Sequence, residues 1–209
     1  MLRKLPIVLL LGLPFLASAQ QELKIKNHHG GLFSLGMRTT ISTFNHGSWQ
    51  DVGTGVGGQF RIQIHDRINT EFFADYLNSK IGASGNRKDA HIGWSVMYYP
   101  LKDKTFKKLM KPYLIMGHCF DYTNVAENAN PDNSLERWSS AIQCGVGNHF
   151  NLTEHFDLTF VAQYMFHLGK HVEAHENEGV FEIHEHGGLS LEGHLLFTVG
   201  FNYKIADLW

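Results

Sequence analysis

Near the C-terminus, residues 191–205 alternate between two kinds of side chain. Most of the odd-numbered positions hold large apolar residues: Leu191, Leu195, Phe197, Val199, Phe201, Tyr203 and Ile205. The positions between them are mostly polar or small, and a period of two predicts a β-strand with one apolar face. The pattern recurs about eight times along the chain, with no helix to cover the apolar face. It therefore favours strands whose apolar face contacts lipid.

The first 19 residues have the composition of a secretory signal peptide. Arg3 and Lys4 supply positive charge, residues 7–16 are apolar, and small residues ending at Ala19 form a cleavage site. An uncleaved anchor helix is the alternative interpretation. We expect three segments: a signal peptide at 1–19, a periplasmic N-terminal segment at 20–31, and a barrel at 32–209.

The composition of the mature chain limits the classes of partner that it can have. No apolar run of about 18 residues remains after cleavage, so no membrane-spanning helix is expected. Without Arg3 and Lys4 the chain carries 16 basic residues against 20 acidic ones, a formal charge of −4. No basic stripe is present to displace counterions from phosphates, which argues against nucleic acid as a partner. The expected partner is the lipid of the outer membrane.

Eight segments have the period-two pattern. They span residues 32–43, 52–64, 68–77, 90–99, 112–122, 138–150, 156–168 and 190–205. One face is apolar, with residues such as Trp94 and Phe160, and the other is polar or glycine-rich, with residues such as Arg61 and Glu71. We predict an all-β fold, an eight-stranded antiparallel up-and-down transmembrane β-barrel.

The predicted connections alternate in length, which orients the barrel. Those after strands two, four and six are short or compact; the others are mostly longer, about nine, twelve, fifteen and twenty-one residues. Outer-membrane barrels keep their short turns in the periplasm and their long loops outside. A soluble lipocalin-like barrel is the alternative, with an apolar interior. Gly53, Gly55 and Gly57 on the polar face favour a crowded polar lumen instead.

Three segments resemble the small outer-membrane β-barrel family, of the OmpA-barrel or OmpW type. They are residues 111–117 (KPYLIMG), 145–153 (GVGNHFNLT) and 199–203 (VGFNY). The resemblance implies a lone barrel without a peptidoglycan-binding domain, in the outer membrane of a Gram-negative bacterium. It also implies handling by the barrel-assembly machinery, which in such proteins often recognises a final aromatic residue, here Tyr203 or Trp209. It implies little about activity.

The lumen of an eight-stranded barrel is filled by side chains, so a general porin is not expected. Charges that point inward must then be paired, because an isolated buried charge is costly. By their inward positions we predict a lumen network of six residues: Arg38, Arg61, Glu71, Asp75, Glu192 and Lys204. The network stiffens the barrel or, alternatively, forms a gated proton or ion path.

Hairpin arithmetic predicts individual partners, because residues paired across a hairpin have a constant index sum. A symmetric turn after the second strand places Arg61 opposite Glu71 on the inner face. The same arithmetic after the sixth strand places His149 opposite Asp157. Position parity also places Cys119 inside and Cys144 outside. Paired residues share a face, so we expect two free thiols despite export to an oxidising compartment.

The fourth external loop is rich in histidine and glutamate. Six of the 14 histidines lie between residues 167 and 194. His171 and His175 face one side if the segment is helical, and His184 and His186 face one side if it is extended. Imidazole and carboxylate suit zinc, copper or nickel, so these four histidines are candidate ligands of a transition metal, the only cofactor suggested. The spacing matches no specific metal motif, which favours a hydrated loop without metal.

The sequence predicts a structural or interaction protein of the cell envelope that acts through its external loops, without enzymatic activity. Metal or small-ligand binding by the fourth loop is the alternative. A lipid-modifying enzyme would need a serine, a histidine and an acid in contact near the outer rim. Ser190, Glu192, His194 and His167 have inward parity there, but no signature of a lipid-modifying barrel is visible.

Overall fold

The structure is a computed structural model that describes residues 30–44, 52–101, 109–169, 171–177, 180–186 and 193–209. The expected signal peptide and nearly all of the expected N-terminal segment lie outside the described residues, so both stay predictions. The described residues form ten strands: β1 (Leu32–Phe44), β2 (Gly53–His65), β3 (Ile68–Ile81), β4 (Gly85–Tyr98), β5 (Met110–Glu127), β6 (Ser134–Asn151), β7 (Phe156–Leu168), β8 (His171–Asn177), β9 (Val180–His186) and β10 (Gly193–Asp207).

Eight strands close into an antiparallel barrel in the order β1-β10-β7-β6-β5-β4-β3-β2. Each strand pairs with its neighbour in sequence, except that β7 continues to β10 and β10 closes on β1. The predicted all-β, eight-stranded barrel is confirmed. No helix among the described residues is long and apolar enough to cross a membrane.

The barrel is apolar outside and polar inside. Met37, Val56 and Trp138 point outward and are 76%, 68% and 72% exposed, whereas Arg61 and Glu71 point into the lumen and are buried. This arrangement is opposite to that of a lipocalin-like barrel, which is thereby excluded. In water such a surface would leave a large area of apolar side chains unfavourably hydrated.

A row of outward aromatic residues marks one limit of the apolar surface. Tyr76, Tyr122 and Trp138 lie in one row of register partners across β3 to β6, to which β4 contributes Ala90, and the Tyr122 and Trp138 rings lie 4.9 Å apart. Such aromatic girdles flank the apolar band of membrane barrels. Beyond this row the outward positions of the same strands become polar: Asn78, Lys80, Asn86, Lys88, Asn124 and Glu136.

These polar extensions correct the predicted loops. β3 and β4 run on to a turn at residues 82–84, and β5 and β6 to a connection at 128–133, where loops of about twelve and fifteen residues were expected. The backbone pairing continues, but the outward apolar side chains that reveal a strand in the sequence stop at the aromatic row. We call this side of the barrel the hairpin end and the opposite side the short-turn end.

The observed register confirms one predicted pair and corrects the other. Arg61 is opposite Glu71. His149 is opposite Thr159 rather than Asp157, so that prediction was wrong. The reason is the turn: the Thr153 hydroxyl accepts hydrogen bonds from the backbone N–H groups of residues 155 and 156, at 3.2 and 3.0 Å. The turn therefore closes around residues 152–155 and is not centred on Thr153.

The cysteines are placed as predicted. Cys119 is buried in the lumen, Cys144 is exposed on the outer surface, and both are free thiols. Their register partners are Ala141 and Met116, respectively.

Candidate functional site in the lumen and its cap

At the short-turn end the lumen is held together by a buried ion pair. Arg61 Nη2 donates to both carboxylate oxygens of Asp157, at 2.7 and 2.8 Å. Its other terminal nitrogen donates to the His149 ring, whose Nε2 lies 2.8 Å from the Tyr99 hydroxyl. Lys204, from the predicted network, donates to the side-chain oxygen of Asn151 at 3.1 Å.

Arg38 joins the other two predicted carboxylates. Its Nη1 lies 3.1 Å from Glu71 and its Nε lies 3.0 Å from Asp75. Its guanidinium also lies 4.5 Å from the centre of the Phe73 ring, a cation–π contact. The structure thus brings Arg38, Glu71 and Asp75 together in one cluster, while Arg61 forms its ion pair with Asp157. The sixth predicted member, Glu192, lies outside the described residues.

An apolar layer lies between the two ends of the lumen. Five buried side chains from five strands form this layer, which we call the lumen plug: Phe73, Cys119, Ala141, Met165 and Leu196. Each is at most 5% exposed. Because inward residues are spaced two apart, the next inward position on β5, β7 and β10 toward the hairpin end belongs to a histidine-rich cluster. The plug therefore fills the lumen beneath that cluster.

Asp121 is the centre of this histidine cluster. Its carboxylate lies 3.2 Å from His91 Nε2, 3.0 Å from His167 Nδ1 and 3.1 Å from Arg137 Nη2. His167 Nε2 in turn lies 3.0 Å from His194 Nε2, so one of these two nitrogens donates to the other. All five side chains are buried.

Sequence reasoning did not identify this cluster as a unit. It placed His167 and His194 at inward positions near the rim, but it did not join them to Asp121, His91 or Arg137. The five strands involved, β4, β5, β6, β7 and β10, are neighbours in the barrel wall, and His91 is the register partner of Asp121. The signal that could have found the cluster is the shared inward parity of charged residues on neighbouring strands.

The connection predicted as the fourth external loop, between β7 and β10, contains an antiparallel hairpin, β8–β9, so the extended alternative holds for its described residues. One face of the hairpin packs over the end of the barrel. Val172, Ala174 and Phe181 form an apolar cluster with Ile81 and Val125 of the barrel. On β5, Val125 is four residues beyond Asp121, so the hairpin covers the histidine cluster. We call it the hairpin cap.

Polar contacts fix the cap to the turn between β3 and β4. The Glu176 carboxylate accepts hydrogen bonds from the backbone N–H of Ala83 at 2.9 Å and from the N–H and hydroxyl of Ser84 at 3.2 and 3.0 Å. The bond from the Ala83 backbone, followed by that from the Ser84 hydroxyl, lowers the pKa of Glu176 below its ordinary value. Asn133, between β5 and β6, donates to the Phe181 carbonyl at 3.1 Å.

The candidate metal ligands lie on the hairpin at positions that alternate with the packed residues. In the register His171 is opposite His186, Glu173 is opposite His184, and His175 is opposite Glu182. His184 is exposed, and its Nε2 lies 3.3 Å from the Glu182 carboxylate. Among the residues that the structure describes, no group of three or more His, Cys, Asp or Glu is arranged to hold a metal ion; the side chains of His171, His175 and His186 are not among those described.

The residues considered for lipid chemistry divide into two groups. Ser190 and Glu192 lie outside the described residues. His167 and His194 are in contact, and the Ser42 hydroxyl lies 3.3 Å from His194 Nδ1. Ser42 is 1% exposed and points into the lumen, so its hydroxyl does not face the apolar outer surface where lipid would lie. The expectation that the protein is not an enzyme stays a prediction.

Comparison with known proteins places the fold. No protein-family model and no curated protein matches the chain. Solved structures do resemble it. Neisserial surface protein A is 15% identical, with a TM-score of 0.56 over 85% of this chain and 99% of that one. A major outer membrane protein from Thermus thermophilus is 11% identical, with a TM-score of 0.54 over 82% of this chain and 98% of that one, and the outer membrane protein OprG from Pseudomonas aeruginosa is 16% identical, with a TM-score of 0.52 over 86% and 98%, respectively.

At these identities the likeness concerns the fold, and it extends over nearly the full length of each of the three structures. It agrees with the closed eight-stranded order and the inverted distribution of polar and apolar side chains described above. The chain therefore has the fold of the small eight-stranded outer-membrane β-barrels.

Proposed function

We propose that the protein is an outer-membrane β-barrel with a filled polar lumen, and that it acts as a structural or interaction protein through its hairpin end. In this orientation the short-turn end faces the periplasm and the hairpin cap faces outward. Export by the signal peptide and insertion by the barrel-assembly machinery belong to the same proposal.

The observation that carries this proposal is the inverted barrel wall. Charged side chains such as Arg61, Glu71 and Asp121 are buried inside, while large apolar side chains cover the outer surface. Lipid is the environment in which that outer surface is favourable, because a bilayer contains no water to be ordered by it. The histidine cluster, the plug and the cap fill and cover the lumen, so partners would contact the outside of the protein.

Fractionation of native membranes tests the location. We expect the protein in the outer-membrane fraction, released only by detergent. Recovery as a soluble periplasmic species without detergent would contradict the proposal.

The two thiols test which face of the wall meets lipid. Cys144 should react in the folded protein with a membrane-soluble maleimide but not with a charged, water-soluble one. Cys119 should react with neither until the barrel is unfolded. Rapid labelling of Cys144 by the charged reagent in intact membranes would show that its face is wet.

A second candidate function is transition-metal binding on the outer face of the hairpin cap. The specific observation in its favour is the register, which places His171 opposite His186 and a histidine opposite a glutamate at two further pairs. Cross-strand partners lie about 4.5–5.5 Å apart at Cβ, a separation from which two imidazoles can share one ion.

Calorimetry with zinc and with copper tests the metal candidate. Replacement of His171, His175, His184 and His186 by alanine should abolish binding, whereas His65→Ala at the short-turn end should leave it unchanged. Absence of binding by the unaltered protein tighter than the micromolar range would end this candidate.

A further inference from the structure

Two lysines lie on the outer wall of the barrel, beyond the aromatic row at the hairpin end. Lys80 on β3 and Lys88 on β4 are exposed, and among the outward positions of β3, β4 and β5 beyond that row they alone carry charge. In the register Lys80 is opposite Asn86, which is two residues before Lys88. The two lysines are therefore diagonal neighbours, about 7–8 Å apart, and both flexible side chains can reach one anion.

Neutral amides surround Lys88. Its register partners are Asn78 on β3 and Asn124 on β5. Neither Lys88 nor Lys80 forms an ion pair with a described residue. Amide N–H groups donate hydrogen bonds, so they can contact an anion beside the ammonium groups.

The carboxylates around this surface have donors of their own. Those on the neighbouring elements each accept a hydrogen bond from another residue: Glu127, Glu136, Glu176 and, inside the lumen, Asp89. Asp132 is exposed in the connection between β5 and β6, beyond the strand ends. No described outward position of β3 or β4 beyond the aromatic row is acidic. The outer face of these two strands therefore has two positive charges there and no negative charge.

The aromatic row is interrupted on the short-turn side of Lys88. Ala90, two residues along β4 on the same face, separates Tyr76 from Tyr122 in the register. The two tyrosine positions are two strand spacings apart, about 9–10 Å. The Tyr122 ring lies 4.9 Å from the ring of Trp138, on the strand away from Ala90. Carbon atoms in contact are about 3.5–4.0 Å apart, so the gap over Ala90 admits one hydrocarbon chain.

We propose that Lys80 and Lys88 bind the phosphate of one membrane lipid, and that a hydrocarbon chain of the same lipid passes through the gap over Ala90. Aromatic rows of membrane barrels lie at the level of the lipid headgroups. A strand rises about 3.4 Å per residue, which places Lys88 about 7 Å beyond the row. Ile92, the next outward residue on β4, is 58% exposed and continues the apolar path. This site rests on the proposed function, because the outer wall must face lipid.

The charge of the two lysines sets the class of headgroup. A phosphate monoester carries about −1.5 to −2 charges at pH 7, which matches two ammonium groups. A phosphate diester carries a single negative charge and leaves one lysine without a counter-charge. We therefore expect the site to prefer a lipid that has a phosphate monoester.

Native mass spectrometry of the folded protein, released from non-ionic detergent micelles, counts the bound lipids. The probes are phosphatidic acid, which is a phosphate monoester, phosphatidylglycerol, which is a diester with the same chains, and glycerol 3-phosphate, which has no chain. We expect saturable binding of one phosphatidic acid, at least threefold tighter than that of phosphatidylglycerol. Equal affinity for the two lipids, or displacement of phosphatidic acid by an equal concentration of glycerol 3-phosphate, would overturn the proposal.

Variants test the two parts of the site. The double variant Lys80→Gln/Lys88→Gln should bind phosphatidic acid at least tenfold more weakly, a loss of about 1.4 kcal/mol, whereas Lys80→Arg/Lys88→Arg keeps the charge and the binding. Ala90→Phe closes the gap and should also weaken binding. Arg67→Gln, which removes a positive charge at the short-turn end, is the control and should bind as the unaltered protein does. Unchanged binding by the glutamine variant or by Ala90→Phe would contradict the site.

Two further measurements accompany these variants. All of them should keep the urea midpoint of the unaltered protein, because substitutions at the protein surface change stability little. The unaltered protein and the glutamine variant, diluted from detergent into phosphatidylcholine vesicles, should float equally with the vesicles in a density gradient. Protein that floats but binds phosphatidic acid no more tightly than phosphatidylglycerol disproves the lipid site and leaves the proposed function standing. Protein that does not float contradicts both.

Discussion

At the scale of single residues, the two lumen arginines differ in how many carboxylates they have. Asp157 is the only carboxylate within ion-pair distance of Arg61 among the described residues, whereas Arg38 contacts both Glu71 and Asp75. Asp157→Asn should therefore destabilise the barrel by about 3–5 kcal/mol, since it leaves a buried guanidinium without a counter-charge.

Urea unfolding of the purified barrel measures this difference. Glu71→Gln should cost less than Asp157→Asn because Arg38 keeps Asp75, and the exposed Glu136→Gln should change stability by no more than about 0.5 kcal/mol. If Glu71→Gln proved the more damaging of the two lumen substitutions, the assignment of ion pairs would be wrong.

Adjacent glycines on β2 provide a test of the lumen packing. A Cβ at Gly57 would collide with the Asp75 side chain, whereas a Cβ at Gly58 has its nearest neighbour, the Gly36 carbonyl oxygen, at 3.8 Å. Gly57→Ala should lower the free energy of unfolding by about 1–3 kcal/mol, the usual cost of overpacking. Gly58→Ala, on the outer face of the same strand, should be tolerated. Similar effects of the two substitutions would argue against a tightly filled lumen.

At the scale of elements, one carboxylate, that of Glu176, accepts three of the hydrogen bonds that fix the hairpin cap to the barrel. Glu176→Gln should loosen the cap, which hydrogen–deuterium exchange of the β8 and β9 amides would report as faster exchange, with the barrel strands unaffected. Glu182→Gln is the control, because Glu182 lies on the same hairpin and contacts His184. Unchanged exchange in Glu176→Gln would show that the apolar packing and the Asn133 contact hold the cap without this carboxylate.

The cap should also respond to acid in a defined direction. The pKa of Glu176 is lowered in the folded protein by the hydrogen bonds from Ala83 and Ser84. Its contribution to docking is therefore complete above the pKa of an unfolded glutamate, about 4.3, and is lost as the pH falls through the folded value. Exchange of the cap amides, corrected for the intrinsic pH dependence, should accelerate below about pH 4.

The same hairpin shows where sequence reasoning fails at the level of elements. β8 and β9 contain alternating residues such as Val172, Ala174 and Phe181, but polar His and Glu residues surround them and no neighbouring barrel strand shares their pattern. Their packing against Ile81 and Val125 gives them a stable surface. Short strands of this kind are stabilised by tertiary contacts, which cannot be inferred from the local alternation of residues.

At the scale of the whole molecule, the filled lumen predicts that the barrel does not conduct ions freely. The plug side chains are at most 5% exposed, and the cap covers the histidine cluster at the hairpin end. We expect no stepwise current in planar bilayers under conditions in which a 16-stranded porin, whose lumen is open to water, conducts. Discrete channel openings by the unaltered protein would instead favour the gated ion path.

The sequence alone was sufficient to predict the architecture of the barrel wall. Alternation at residues 191–205 and in seven other segments predicted the eight strands, the apolar outer face and the opposite placement of Cys119 and Cys144. These features could be predicted because side-chain direction in a strand depends only on position parity. The pairing of Arg61 with Glu71 in the register followed from the same arithmetic across a short turn.

Only the tertiary structure decided which inward residues meet. Arg61 contacts Asp157, 96 positions away in the chain, and Asp121 on β5 contacts His167 on β7, two strands away. Barrel closure, the tilt of the strands and the shape of the 152–155 turn set these contacts, and none of the three can be read from periodicity. Parity determines which face a side chain occupies, but its neighbours across the lumen depend on how the sheet closes.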